Sequence, residues 1–383
     1  MADGTDEVRG TCDERFAAVR ETFQRNFDNE REVGASVALY LEGELVVDLW
    51  GGWADEARTT PWESDTITNV WSTTKTMTNL CALILADHGD IDVHAPVARY
   101  WPEFKANDKE RIEVRHLLSH TAGLPGWEEP VTYEDLADWE KVTSLLAAQK
   151  PWWEPGTASG YHALTQGFLV GELVRRVTGQ SLGTFFAQEV AGPLGADFSI
   201  GLPASEDHRV SPVVVPEVLE SIDLLASLLQ EPLLKVFTNP VWDARGSWRE
   251  EWRRAEIPAA NGQSNARGVG AVQSIVSNRG EARGVRLLSA EGLDVIFEEQ
   301  SNGTDLILAI PERFGIGYGL SSDTMPIGPR GCYWAGWGGS LVVSDLDTRT
   351  TFAYVMNRME TGLVVETRGA ELLLAAAAGL APH

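Results

Sequence analysis

Apolar residues along this chain change their rhythm twice. Near the start Phe16, Val19, Phe23 and Phe27 recur at helical spacing, which predicts an amphipathic helix. The period then shortens: Ala35–Leu41 and Leu45–Trp50, separated by Glu42-Gly43 and closed by Gly51-Gly52, predict a β-hairpin. The run from Thr76 to Ala86 is apolar on nearly every side and predicts a buried helix. From about residue 95 to residue 260 the pattern is helical and broken by Pro and Gly, as at Thr143–Ala148 and Gln166–Val174. Strand-like segments return at Arg313–Leu320, Ser340–Ser344 and Thr351–Met356, and a closing helix starts near Glu371. Strands from both ends with helices between them predict an α/β fold. Residues 1–95 and 261–383 would form one discontinuous α/β domain, and residues 96–260 a mainly helical inserted domain.

Composition narrows the classes. The chain has 383 residues, 43% of them hydrophobic, enough for a sizeable core. Its formal net charge of −25 argues against nucleic acid or an anionic membrane as partner. The acidic opening Met1–Glu7 lacks an apolar leader core, and no stretch reaches the roughly 18 apolar residues of a membrane span. Leu372–Ala378 reads as a packing helix rather than an anchor. Cys12, Cys81 and Cys332 are scattered and odd in number, which fits a reducing compartment. No metal-ligand spacing such as His-Glu-x-x-His or Cys-x-x-Cys occurs. The expectation is a soluble cytoplasmic protein with no cofactor.

Three segments carry candidate chemistry. Ser72-Thr73-Thr74-Lys75 opens the buried helix, and residues three apart share a helix face, so the Lys75 amine meets the Ser72 hydroxyl. A serine hydroxyl needs a base to become nucleophilic, and a buried lysine can be neutral enough to serve. The turn Glu154-Pro155-Gly156 and the small residues after it present Tyr161 on a loop edge. A phenol beside a lysine ammonium is drawn toward phenolate and can relay a proton. In Trp334-Ala335-Gly336-Trp337-Gly338-Gly339-Ser340, glycines on an edge strand let backbone N–H groups approach a ligand, and such an N–H with that of Ser72 forms an oxyanion hole. His116, Ser119 and His120 do not make a convincing triad, because the Gly-x-Ser-x-Gly elbow is absent. His162, next to Tyr161, is a candidate pocket residue. Gly315, Gly317 and Gly319 precede no helix and are not a dinucleotide fingerprint. Asn302-Gly303-Thr304 is a sequon without a leader.

The order Ser-x-x-Lys, Tyr after Pro-Gly, and a Gly-rich strand near the C-terminus resembles the serine β-lactamase and penicillin-binding-protein superfamily, most of all its family VIII carboxylesterase branch. Val114–Pro125, Asn261–Ala266, Arg313–Gly319 and Phe352–Met359 resemble that branch too, so the likeness runs from about residue 15 to the end. The resemblance implies a β-lactamase-like fold, an antiparallel sheet flanked by helices. It implies Ser72 as nucleophile, Lys75 as its base, Tyr161 as proton-transfer partner, and the N–H groups of Ser72 and Trp337 as the oxyanion hole. It also leaves room for a homodimer. Trp334-Ala335-Gly336 falls where β-lactamases carry Lys-Thr-Gly, and Ala163 falls where they carry an Asn. Losing that cation and that amide disfavours a charged amide substrate and favours a neutral, apolar acyl group.

With 14 tryptophans, several beside these segments, the chain has the material for an aromatic pocket, with Trp334, Gly336 and His162 as substrate-binding candidates. The expected activity is hydrolysis of carboxylic esters or lactones with a hydrophobic or aromatic body through an acyl-enzyme on Ser72. The alternatives are a β-lactamase or amidase-type peptidase and a non-catalytic binding protein of the same fold. Sequence leaves open whether Lys75 or Tyr161 is the resting base, because the two titrate together.

Overall fold

The computed structural model describes residues 7–216, 233–241, 243–361 and 366–380. Its centre is a nine-stranded antiparallel sheet. In chain order its strands are β1 (Arg9–Cys12), β2 (Gly34–Leu41), β3 (Glu44–Gly52), β4 (Ser301–Thr304), β5 (Pro311–Phe314), β6 (Gly319–Leu320), β7 (Gly331–Ala335), β8 (Leu341–Asp345) and β9 (Thr350–Met356). They lie side by side as β1-β3-β2-β9-β8-β7-β6-β5-β4, so the first hairpin pairs with the last strand and the chain's two ends build one sheet. Every residue of β2 but the last is buried, which requires cover on both faces.

Helices supply that cover. On one face the Ala266 N–H donates to Ser36 Oγ at 3.0 Å and the Tyr40 hydroxyl to the Arg267 carbonyl at 3.0 Å, seating helix Ala266–Ser277. On the other, Tyr354 of β9, opposite Val37, lies against Gly369 of helix Thr367–Leu380, which packs on helix Ala17–Asp28. Phe16, Val19, Phe23 and Phe27 are all buried, as their spacing predicts. The apolar run after Ser72 is a helix, Thr74–Asp87, and it packs against helix Thr165–Thr178. With helices numbered in chain order, these are α1 (Ala17–Asp28), α2 (Thr74–Asp87), α3 (Thr165–Thr178), α4 (Ala266–Ser277) and α5 (Thr367–Leu380). One hydrophobic cluster runs from Val8 to Ala376 through all of them. Among the described residues no helix is long and apolar enough to cross a membrane.

Two strand expectations change in detail. Arg313–Leu320 is not one strand: the chain reverses over Gly315–Tyr318, and Phe314 pairs with Gly319 across a hairpin. Gly317 there has φ 89°, a conformation that suits glycine. The Gly-rich segment before Ser340 does not follow an edge strand. It ends β7, which lies between β6 and β8, although β6 pairs with Cys332 and Tyr333 and not with Trp334 or Ala335.

A fully buried ion pair fastens α5 to the sheet. Arg368 Nη1 donates to Glu32 Oε2 at 2.8 Å, with both side chains inaccessible, and the Tyr354 hydroxyl donates to the other Glu32 oxygen. Removing one partner strands the other's charge in the core. Arg368→Met is therefore expected to lower stability by about 3–5 kcal/mol in urea unfolding, with Glu32→Gln in the same background recovering part of the loss.

Candidate active site

Ser72 sits where a short strand turns into α2. Ile67–Asn69 belongs to a small four-stranded sheet, and the next residue, Val70, donates its N–H to the Gly262 carbonyl at 2.9 Å. Trp71 then takes φ 48°, in the left-handed region that costs a bulky residue about 1–3 kcal/mol. Its ring is wedged between Trp337, 5.0 Å between centroids, and Trp252, at 5.8 Å. Thr74 Oγ1 accepts from the Gly262 N–H at 2.9 Å and donates back to the Trp71 carbonyl. On the opposite side Ser340 Oγ donates to the Val70 carbonyl at 2.8 Å and lies 2.9 Å from Thr73 Oγ1. The turn is thus held from two directions, and Ser72 emerges on a 3₁₀ turn, Trp71–Thr73, at the N-terminus of α2.

One helical turn on, Lys75 is fully buried. Its Nζ lies 3.1 Å from Ser72 Oγ, 2.7 Å from the Ala163 carbonyl and 3.0 Å from the Ala259 carbonyl. Burial holds the amine well below the usual lysine range. A neutral amine has two N–H bonds and one lone pair. Donation to two carbonyls leaves the lone pair for the Ser72 hydroxyl.

Tyr161 packs its ring 4.8 Å from Lys75 Nζ, and its hydroxyl is near enough to Ser72 and the Trp334 side chain for both to favour its charged form. Burial raises the phenol above its ordinary value despite both contacts. This corrects the expected pull toward phenolate: desolvation of the buried phenol outweighs the contacts that favour its charged form. The Tyr161 N–H donates to Asp305 Oδ1 at 3.0 Å, and the same oxygen accepts from Ile307 and Leu308 at 2.9 Å each. Asp305 has no motif around it and was not visible in the sequence.

The Gly-rich turn lies against the serine. A Cβ on Gly336 would fall 2.2 Å from Ser340 Oγ, 2.4 Å from the Val70 carbonyl oxygen and 3.3 Å from Ser72 N, so glycine is required for this approach. The backbone at Gly336 therefore passes beside the Ser72 N–H.

A cavity of about 270 Å³ opens beside Tyr161 and Trp334, walled by Leu308, Ile310, Phe314, Met325 and Tyr333, with Glu312 as the one charged side chain among the described residues lining it. Trp334, one of the substrate-binding candidates of the sequence, lines this cavity. His162 does not. It is fully buried, its Nε2 accepts from the Leu124 N–H at 3.0 Å, its Nδ1 faces the Gly160 carbonyl at 2.6 Å, and its pKa is lowered to about 3 by burial. Both ring nitrogens serve the backbone, so His162 is a scaffold residue and not a pocket residue. His120 accepts the His162 N–H at Nδ1, and Ser119 Oγ donates to the Arg115 carbonyl, so neither meets the other in a triad.

A fold of this topology, with a serine and a buried lysine one turn apart, defines the serine β-lactamase-like class. The family model described as Beta-lactamase matches residues 19–377, and the chain belongs to that family. Esterase/beta-lactamase LipL of Mycobacterium tuberculosis is 37% identical over 378 residues, covering 95% of this chain and 86% of LipL. The crystal structure of a family VIII carboxylesterase superposes with a TM-score of 0.92 at 42% identity, covering 97% of this chain and 100% of the other. A penicillin-binding protein homologue from Caulobacter crescentus superposes with a TM-score of 0.87 at 35% identity, covering 97% and 99%.

Gly336→Ala forces the turn away from Ser72 N. Phosphonate labelling of Ser72 is expected to slow about a hundredfold, the scale of a 1 Å misplacement, while far-UV circular dichroism stays unchanged.

Proposed function

We propose that this chain is a serine hydrolase of carboxylic esters that works through an acyl-enzyme on Ser72. The observation that carries the reading is the buried Lys75 amine, 3.1 Å from Ser72 Oγ with two carbonyls as its other partners. Lys75 takes the hydroxyl proton as Ser72 attacks the ester carbonyl. The tetrahedral oxyanion is held by the N–H groups of Ser72 and Trp337 at the N-terminus of α2. Tyr161, a neutral phenol beside Lys75 and Ser72, protonates the departing alcohol and is reprotonated from Lys75. Water entering on the same route, deprotonated by the same pair, releases the acid.

Several observations favour esters over β-lactams. The cavity is walled mainly by apolar and aromatic side chains. Trp334 stands where a carboxylate-pairing lysine would be needed, and Ala163 offers only its backbone, which Lys75 already uses. A cyclic ester presents the same carbonyl to Ser72, so lactones with a hydrophobic body belong to the same substrate class. The relatives named esterase and carboxylesterase support this reading.

The test is hydrolysis of short-chain nitrophenyl esters beside a lactone panel and a chromogenic cephalosporin. Ser72→Ala and Lys75→Ala are expected to lose at least about a thousandfold in kcat/KM, and Tyr161→Phe about a hundredfold or more. Cephalosporin turnover faster than ester turnover would overturn the ester assignment, and full activity in Ser72→Ala would overturn the mechanism.

The pH profile tests the base separately. Burial depresses the Lys75 pKa, so its active neutral form is reached at a lower pH than an ordinary lysine allows. The kcat/KM is expected to level off well below the ordinary lysine range and to fall on acidification through the depressed lysine value. A base with an ordinary lysine pKa would instead give a rate still rising toward about pH 10.

A further inference from the structure

The cavity beside Tyr161 and Trp334 holds a carboxylate that the catalytic proposal does not use. Glu312 and Phe314 lie two apart on β5 and so face the same way. Phe314 is paired with Gly319, and Gly319 with Tyr333, which puts all four on one face of three adjacent strands. A Cβ on Gly319 would fall 2.7 Å from the Tyr333 ring. Its absence lets Tyr333 lie across β6 and donate its hydroxyl to Glu312 Oε2 at 2.9 Å. The carboxylate is thereby anchored at one oxygen in a pocket walled mainly by aromatic and aliphatic side chains.

We infer that Glu312 is a specificity residue that makes this cavity a receptor for cationic esters, those bearing an ammonium group in the acyl or alcohol part. A carboxylate lining one cavity with Tyr161, Phe314, Tyr333 and Trp334 provides charge pairing and aromatic faces together, the combination that recognises ammonium ligands. The cavity has no cation among its described lining residues to pair with a substrate carboxylate, and the chain's net charge of −25 also favours the approach of cations. This inference rests on the ester-hydrolase reading and adds the substrate class to it.

Matched ester pairs test it. Nitrophenyl trimethylammoniobutanoate is compared with its uncharged isostere, the dimethylhexanoate, and acetylcholine with dimethylbutyl acetate, in wild type and Glu312→Gln. The quaternary ammonium does not titrate, and the ratio of kcat/KM within a pair cancels the titration of Lys75 and Tyr161. The wild type is expected to favour the cationic member of at least one pair by about tenfold or more. Glu312→Gln keeps an acceptor for Tyr333 and is expected to bring that ratio near one, with the neutral ester's rate held within about threefold.

A second measurement needs no variant. Burial, followed by the nearby Asp305 carboxylate, raises the Glu312 pKa to about 7 against the lowering effect of the Tyr333 hydroxyl. Of the groups around it, Tyr161 and Tyr333 stay neutral phenols, raised by burial. The cationic preference should therefore increase between about pH 6 and about pH 8 as Glu312 ionises. A wild-type ratio near one in both pairs at about pH 8, or a ratio unchanged by Glu312→Gln, overturns the inference while turnover of the neutral ester leaves the ester reading intact. No turnover of any member overturns both.

Discussion

The arrangement of this molecule is governed by one expensive group, the Lys75 amine. Placing it in the core is tolerable only if it is uncharged or fully partnered, since an isolated buried ammonium costs several kcal/mol. Its carbonyl partners come from Ala163 and Ala259, far apart in the chain and brought to the first turn of α2. Ala163 lies just before α3. Gly167 on that helix would drive a Cβ to 2.3 Å from Ala259 N, so the missing side chain lets the two segments converge on the lysine. The Gly262 contacts that hold Val70 and Thr74 extend the same segment to the serine turn. A helix, a loop and a small sheet are all committed to keeping one nitrogen in place.

Support for the serine reaches back through the Gly-rich turn to the far side of the sheet. Gly338 and Gly339 have φ 85° and 128°, and added Cβ atoms there would collide with Met359 and Glu366. Glu366 in turn contacts the Arg368 guanidinium, which pairs with Glu32 in the core. The ion-pair cluster that fastens α5 therefore also backs the turn lying against Ser72 N. Strain at Trp71 is contained between this turn and Trp252, which fits the general pattern that unfavourable backbone angles persist where surrounding packing over-determines them.

Much of this was legible in the chain because local signals agreed with the global fold. The N-terminal amphipathic helix, the first hairpin, the buried helix after Ser72 and the last strand all had periodicity, turn chemistry and burial pointing one way. The Ser-x-x-Lys spacing forces two side chains onto one helical face, so their contact followed from geometry alone. What escaped depended on tertiary detail. Reading Arg313–Leu320 as a strand began two residues too late and hid Glu312, which shares a face with Phe314. The hairpin reversal at Gly315–Tyr318 lay inside the same run. His162 looked available from its position beside Tyr161, yet the two backbone groups that claim its ring lie at Gly160 and Leu124. The direction of the Tyr161 shift depended on how deeply the phenol is buried, which cannot be read from spacing.

The proposed chemistry also explains why so much rigidity is concentrated around one turn. With a tryptophan in place of the cation that related sites carry, the only positive charge near a developing oxyanion is the one Lys75 gains when it takes the serine proton, and that amine is held by two backbone carbonyls. Stabilisation then falls to fixed backbone dipoles, which act strongly in a dry site only if they are aimed beforehand and cannot swing away. The Ser72 N–H is fixed by the strained Trp71 and the Thr74–Gly262 exchange, and the neighbouring backbone by the Gly336 approach and the Ser340–Val70 bond. A cationic site can tolerate looseness because Coulomb attraction falls slowly with distance. A site built from N–H groups cannot, since hydrogen bonds weaken steeply once misaligned. The replacement of a charged side chain by Trp334 and the tight glycine packing beside it are two sides of the same physical solution.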